Sequence, residues 1–535
     1  MAKKKGIAYC FDKFKDFGVA VLSFFYDGVC RIIRQNKRRV DMEEKMSALP
    51  QSNGTGYYAK SPVKVGIVCD ELLFSSLAPT CDLFYVAPDV NEGDLLSCDA
   101  FLVATAWKGR FNDWKDCGED GTEKNRVLKS LMQKFAQAEK PVIFYSKEDP
   151  PNFDYFFNLA GYADYIFTSA KECVEKYKEA FPKTPVGVLS FGVNPLLYNP
   201  VGVNLSERRK KAELCGKKTA LFAGSYMRKY PRRVKFQKRL FGGLKKAGVK
   251  LTIFDRNASR KDIRYAFPLK YQKGVFAGIS HDKLAKAYKL HDYVINFNSV
   301  QNSDTMFAMR VYDALATGNI VLSNKSAGMQ KLFPEVFVCE DEKGNADMRE
   351  VFAALNLTCE QEREIIKSGL RAVMRGNTSF DRMRQILAAV GIEEKDEEFC
   401  VGALMRAADG EEKEKLKKVF DGQTYRNKKC FTSAEELIKD KSVKAFVILG
   451  GSLPEEFISD AVDCLKYVDA DFITFYGADC KEDEAEEKEN AFTDKIADRN
   501  ATLYLKKSFS VKEIEDLCGG DITVAYKRGY AGFKL

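Results

Sequence analysis

Ser303, Asp304 and Thr305 stand in a polar run that follows the apolar residues 293–297 and precedes apolar positions at helical spacing, Phe307, Val311, Ala314 and Leu315. Such side chains turn the chain and cap helices, and the unsatisfied N–H groups of a helix start attract anions. Phosphate is the expected ligand. Arg310 and Asp313 lie three apart, near one helix face. A guanidinium forks onto phosphate oxygens and a carboxylate accepts from ribose hydroxyls, so the pair suits a nucleoside diphosphate. By themselves the same two residues would serve equally as an exposed ion pair.

A second cationic stretch is Gly224-Ser-Tyr-Met-Arg-Lys-Tyr-Pro-Arg-Arg233. Its glycine lets the main chain approach a ligand closely, and Arg228, Lys229, Arg232 and Arg233 offer partners for a diphosphate. Cations at a helix start oppose the helix dipole, a conflict that a bound anion relieves. The stretch is neither a Walker loop nor a G-x-G-x-x-G turn.

The third candidate is Ser146-Lys-Glu-Asp-Pro-Pro-Asn-Phe153, at the carboxyl end of an apolar run over 141–145. Polar groups at that end of a sheet strand sit where α/β domains bind ligands, and Pro150 and Pro151 stiffen the loop. Glu148 and Asp149 are therefore the candidate catalytic carboxylates, the plainer reading being that they cap the next helix. The two histidines, His281 and His291, both lie beyond residue 200, which excludes a histidine base from the first part of the chain. Trp107 and Arg110, after the apolar run 100–104, are further candidates to line a ligand.

The elements that would position these residues alternate. Apolar runs at 63–68, 83–86, 100–104, 141–145, 165–168 and 186–190, then at 219–223, 250–254, 293–297 and 320–322, are separated by helical stretches such as 123–138. This predicts an α/β protein with two Rossmann-like, doubly wound domains. The expected divisions are an amphipathic basic helix over 1–45, a linker over 46–62, Rossmann-like domains over 63–200 and 201–392 and a smaller α/β domain over 393–535.

Composition narrows the function. The net charge of +9 is spread along the chain rather than gathered with aromatics, which argues against nucleic acid as a partner. Fifteen cysteines without a C-x-x-C, and only two histidines, predict no metal site and a reducing cytoplasm. Ile7, Phe11, Phe14, Val21, Leu22, Phe25, Val29, Ile32 and Ile33 trace one helical face between Lys3, Lys4 and Lys5 and the basic Arg34, Lys37, Arg38 and Arg39. Its uncharged run of ten residues between Asp16 and Asp27 is too short to cross a bilayer. Residues 7–40 are expected either to lie on an anionic membrane surface, at the inner face of the plasma membrane, or to pack on the protein.

Asn298, Thr305, Phe307, the run Arg310-Val-Tyr-Asp-Ala-Leu-Ala-Thr-Gly318 and Ser323 resemble the donor-site segment of the CgeB-like glycosyltransferases of spore maturation and surface polysaccharides, within the GT-B superfamily. That family usually carries Glu where this chain has Asp313, and many retaining relatives carry a second acid where it has Thr305. KEDPP at 147–151, AGSY at 223–226 and FGVNP at 191–195 extend the resemblance over 63–392. Residues 423–428, 445–449, 453–457 and 470–474 resemble a shortened GT-A domain in which Gly450, Gly451 and Ser452 stand where aspartates would hold a divalent ion. The resemblance implies a metal-independent glycosyltransferase without a cofactor. It would move a hexose-like sugar from a nucleotide-diphosphate donor to a surface polysaccharide, teichoic-acid-like or lipid-linked acceptor. Donor contacts would come from Gly224, Ser225, Tyr226, Arg228, Arg233, Asn298, Ser303, Thr305, Arg310 and Asp313, with Glu148 and Asp149 catalytic. The alternative is a non-catalytic nucleotide-sugar-binding scaffold in an envelope-polymer assembly complex. Stereochemistry and oligomeric state stay open.

Overall fold

The computed structural model describes residues 19, 21–27, 29, 30, 36–205, 208, 218–228, 230–260, 262–393, 399–407, 409–475, 490–493, 495–524 and 532–534. Lys3, Lys4, Lys5, Ile7, Phe11, Phe14, Ile32, Ile33, Arg34 and Lys229 lie outside the described residues. Two compact units form: a smaller one from the described residues of Met1–Leu49, Glu207–Asn302 and Asp313–Gly369, and a larger one from Pro50–Ser206, Ser303–Tyr312 and Leu370–Leu535.

In the larger unit β1 (Lys64–Val68), β2 (Asp82–Tyr85), β3 (Ala100–Ala104), β4 (Val142–Ser146), β5 (Tyr165–Thr168) and β6 (Val186–Val188) make a parallel sheet of order β2-β1-β3-β4-β5-β6. Every residue of β3 and β4 is buried, because helices cover both faces and a strand between two apolar layers has no polar side to show. Phe101, Val103 and Phe144 face Leu128, Met132 and Phe135 of the Glu123–Gln137 helix, whose first turn Thr122 caps by accepting from the Asn125 N–H. On the other face Ile67, Leu102 and Ile143 pack with Leu73, Leu77, Met383, Ile386 and Leu387. The last three belong to the Ser379–Ala389 helix. Sequence spacing alone assigns that helix to the second domain, but its apolar stripe completes the core of the first sheet, and Arg382 holds it by donating to the Ser190 and Phe191 carbonyls at 2.8 and 3.1 Å.

The smaller unit has its own parallel sheet: β7 (Thr219–Ala223), β8 (Lys250–Asp255), β9 (Val275–Ala277), β10 (Tyr293–Asn296), β11 (Ile320–Ser323) and β12 (Phe337–Val338), in the order β12-β11-β10-β7-β8-β9. The expected α/β fold with two doubly wound sheets is therefore present. Beneath this sheet His291 is buried, its Nδ1 2.7 Å from the Ala287 carbonyl and its Nε2 2.9 Å from Thr252 Oγ1. Burial disfavours the charged ring and lowers its pKa to about 4. The unfolded chain thus takes up this proton first as pH falls, so the contribution of His291 is complete above about pH 6.5 and is lost progressively down to about pH 4. We expect the acid limb of the unfolding free energy, measured by urea titration across pH, to flatten in His291→Gln by about 3 kcal/mol over that window.

A third sheet closes the larger unit: β13 (Cys400–Met405), β14 (Lys428–Phe431), β15 (Val443–Leu449), β16 (Phe472–Thr474), β17 (Ala491–Thr493), β18 (Thr502–Leu505) and β19 (Gly532–Lys534), ordered β14-β13-β15-β18-β16-β19-β17. It is mixed, with β18 antiparallel to both β15 and β16. The acidic run 481–489 lies outside the described residues.

The stretch expected to be a linker is a strap within this unit. Asn53 donates to the Asp469 carbonyl at 2.7 Å, Thr55 Oγ1 to Leu465 at 2.8 Å and the Gly56 N–H to Leu465 and Val468 at 2.9 Å. Tyr58 stacks on Phe380 with centroids 4.0 Å apart. Ion pairs reinforce the attachment of the third sheet. Arg371 grips both oxygens of Asp460 at 2.7 Å, and Arg375 reaches Asp463 at 2.7 Å and Glu456 at 2.9 Å.

Candidate functional site

The carboxyl ends of β1, β3 and β4 gather a charged cluster in the larger unit. Asp70, which follows β1, accepts from the N–H groups of Trp107, Lys108 and Gly109 at 3.1, 3.2 and 3.0 Å, fixing the loop that carries Trp107 and Arg110. Lys147 Nζ lies 3.6 Å from Asp70 and 2.9 Å from Glu148. Asp70 reads in the sequence only as the start of an exit loop; its place at a strand end was the signal available. Trp107 is exposed and stacks on Tyr155 at 5.3 Å, while the Arg110 guanidinium lies 3.8 Å from the Phe74 ring centre.

The two candidate carboxylates part company here. Glu148 keeps its side chain 25% exposed. Asp149 is fully buried, accepting from Ser146 Oγ at 2.7 Å, Thr168 Oγ1 at 2.6 Å and Tyr177 Oη at 3.2 Å. Burial pushes its pKa above the usual carboxylate range, and those three hydrogen bonds oppose the shift without cancelling it. A carboxylate so enclosed orders the β4 and β5 ends. The one beside it meets solvent.

Residues 303–312 depart from the expected geometry. The helix predicted from Thr305 begins instead at Arg310 and runs only to Ala316. Ser303 Oγ donates to Glu172 at 3.0 Å, and Thr305 Oγ1 donates to the Ser169 carbonyl at 2.8 Å and accepts from the Lys171 N–H at 2.9 Å. Met306 packs on the core of the first sheet, and Phe307 stacks on Tyr312 at 5.1 Å. Anchorage to the loop after β5 outweighs helical continuation, so Ser303 and Thr305 do not form the helix-start cradle that spacing suggests. Both hydroxyls are engaged by the protein.

In the smaller unit the loop after β7 and the end of β10 adjoin, since the two strands are neighbours. Gly224 donates its N–H to Phe254 at 2.9 Å. Ser225 is buried with no hydrogen-bond partner for its hydroxyl among the described residues. Tyr226 packs on Phe267 at 5.2 Å, and Arg228 lies 5.5 Å from the Tyr226 ring centre. Arg233, in the first turn of the Pro231–Lys246 helix, donates to Ser299 Oγ at 2.9 Å, and that turn holds no acid. Asn298 is buried; its N–H donates to Asn324 Oδ1 at 2.6 Å, Asn324 returns a bond to its carbonyl at 3.0 Å, and its side chain donates to Ser323 at 3.3 Å. Asp313 is buried on the Arg310–Ala316 helix. Gly224, Ser225, Tyr226, Arg228, Arg233 and Asn298 thus share one sheet edge, cationic and rich in amide and hydroxyl groups, which is the chemistry a diphosphate needs. Asn296, Ser299 and Asn324 support it and were not legible as site residues. Glu148, Asp149, Ser303, Thr305 and Arg310 belong to the larger unit. Among the described residues no three His, Cys, Asp or Glu side chains group to hold a metal ion.

Residues 238–388 match a family described as glycosyl transferase-like. That match bears out the expectation of a glycosyltransferase. No curated protein matches the sequence. Solved structures similar to the chain include Alr3699/HepE from Anabaena in complex with UDP and glucose, 12% identical over 61% of this chain and 99% of that one, with a TM-score of 0.41. Sucrose-phosphate synthase from Thermosynechococcus elongatus is 12% identical over 62% and 99%, with a TM-score of 0.39. The trehalose 6-phosphate synthase from Burkholderia multivorans is 8% identical over 62% and 97%, with a TM-score of 0.42.

Proposed function

We propose that this protein is a CgeB-like enzyme that transfers a hexose-like sugar from a nucleoside-diphosphate donor to a bacterial surface polysaccharide, a teichoic-acid-like polymer or a lipid-linked acceptor on the cytoplasmic side. The family match over 238–388 carries the reading, because it includes Asn298, Arg310 and Asp313 and starts in the helix that follows the cationic loop. In this reading Arg228 and Arg233 balance the diphosphate, Gly224, Ser225 and Tyr226 shape the main chain around it, and Asn298 and Asp313 hold the nucleoside, Asp313 through its ribose. Arg310 keeps the donor role that the resemblance implies, while Ser303 and Thr305, whose hydroxyls bond Glu172 and Ser169, hold the loop that leads to it. Glu148 is the base, Asp149 its positioning residue. Protein cations replace a metal ion, and no cofactor takes part. The third sheet, whose β15 runs into Gly450-Gly451-Ser452, serves docking or assembly without chemistry.

A thermal-shift screen of nucleotide sugars tests the donor, and donor hydrolysis or transfer by the purified protein separates an enzyme from a scaffold. Asp313→Ala is expected to weaken donor binding by about 1–3 kcal/mol, as partners of a buried carboxylate are left unsatisfied. Unchanged affinity by calorimetry would defeat the ribose assignment.

A further inference from the structure

Ser23, Tyr26 and Cys30 recur at helical spacing and form the inward face of the helical residues around them. Ser23 Oγ accepts from the Ile263 N–H at 3.0 Å, Tyr26 donates to the Phe267 carbonyl, and Ser23 and Cys30 are buried. The outward face is apolar and open to solvent: Leu22 is 59%, Phe24 78% and Phe25 67% exposed, and Val21 and Val29 are exposed too. Folding normally hides such side chains, and so many on one short face mark an interaction surface.

The segment that pins this helix supplies its rim. Arg260, Arg264, Lys270 and Lys273 are exposed within a few residues of the two anchoring groups, together with the apolar Leu269. The acid among them, Asp262, is paired with Arg264 at 2.7 Å, and Asp27 is half-buried on the helix. Apolar side chains projecting from a basic border match a bilayer interface, where aromatic rings enter the acyl boundary and Lys and Arg meet headgroup phosphates. A second copy fits less well, because a two-fold contact would set the same basic rim against itself. No helix among the described residues is long and apolar enough to cross a membrane.

We infer that Leu22, Phe24, Phe25 and Val29, bordered by Arg264, Leu269 and Lys270, form a docking surface for a bilayer that carries anionic phospholipid. The helix is held to the smaller unit by Ser23 and Tyr26, so docking fixes the unit that contains the cationic donor edge relative to the bilayer rather than merely tethering the chain. The inference stands independently of the transferase reading.

Co-sedimentation of the full-length protein with phosphatidylcholine vesicles and with phosphatidylcholine–phosphatidylglycerol vesicles tests it. Binding is expected to the mixed vesicles only and to fall with salt. Phe24→Ser/Phe25→Ser should lower partitioning about ten-fold or more while leaving the melting temperature unchanged, since both rings are exposed. Arg264→Glu/Lys270→Glu should lower it by at least about five-fold. Failure of the wild type to sediment with anionic vesicles overturns the inference, as does equal sedimentation of the Phe24/Phe25 variant. A concentration-dependent dimer that this variant dissociates would also overturn it, in favour of an interface between copies.

Discussion

Asp149→Ala is expected to destabilise the larger unit by about 3–5 kcal/mol, because it strips three buried hydroxyl donors of their acceptor. Those donors, on Ser146, Thr168 and Tyr177, come from β4, β5 and the Val174–Ala180 helix, so one carboxylate ties three elements together. Asp149→Asn keeps the shape but only one acceptor oxygen, and a smaller loss of about 1–3 kcal/mol is expected. Urea unfolding of the full chain reads both. The same variants separate support from chemistry. The folded fraction of Asp149→Asn should keep its turnover within a few-fold, whereas Glu148→Gln, at a half-buried position that reaches solvent, should melt nearly normally and lose about 100-fold or more, the usual contribution of a general base. If Asp149→Asn is the stable and inactive member of the pair, the two assignments are reversed.

Arg233→Ala should weaken nucleoside-diphosphate binding about 10–100-fold, the loss expected of a charge-assisted hydrogen bond to phosphate. Arg233 donates to Ser299 at 2.9 Å in a helix turn that itself contains no acid, where cations oppose the helix dipole and a bound anion relieves the conflict. A leaving diphosphate needs its growing charge balanced by a divalent ion or by such cations. Transfer should therefore survive excess chelator, and should suffer far more from Arg233→Ala or Arg310→Ala than from substitution of Asp469, which is exposed, or Asp471, which accepts from Ser508 at 2.5 Å. Loss of activity in EDTA with rescue by manganese would move the chemistry to the third sheet.

Periodicity located ten of the twelve strands of the two doubly wound sheets, and β9 and β12 fall on no run it marks. Runs such as residues 100–104 and 219–223 have no polar side to offer water, and every residue of β3 is buried. The cationic loop after β7 was legible for the same local reason, since Gly224, Arg228 and Arg233 follow a strand directly. Tertiary contacts decided the rest. The hydroxyls of Ser303 and Thr305 were read as a helix start, but Glu172 and Ser169, more than a hundred residues earlier, take them and delay the helix to Arg310. Glu148 and Asp149 are neighbours of the same chemical type, and only the fold of β4 against β5 buries one fully and leaves the other in reach of solvent. The N-terminal amphipathic pattern left packing and membrane binding as alternatives; Ser23 and Tyr26 satisfy the first on one face while Phe24 and Phe25 stay open on the other. Spacing along a chain reports which side chains share a face. What that face meets depends on partners brought from distant sequence, and no local pattern encodes them.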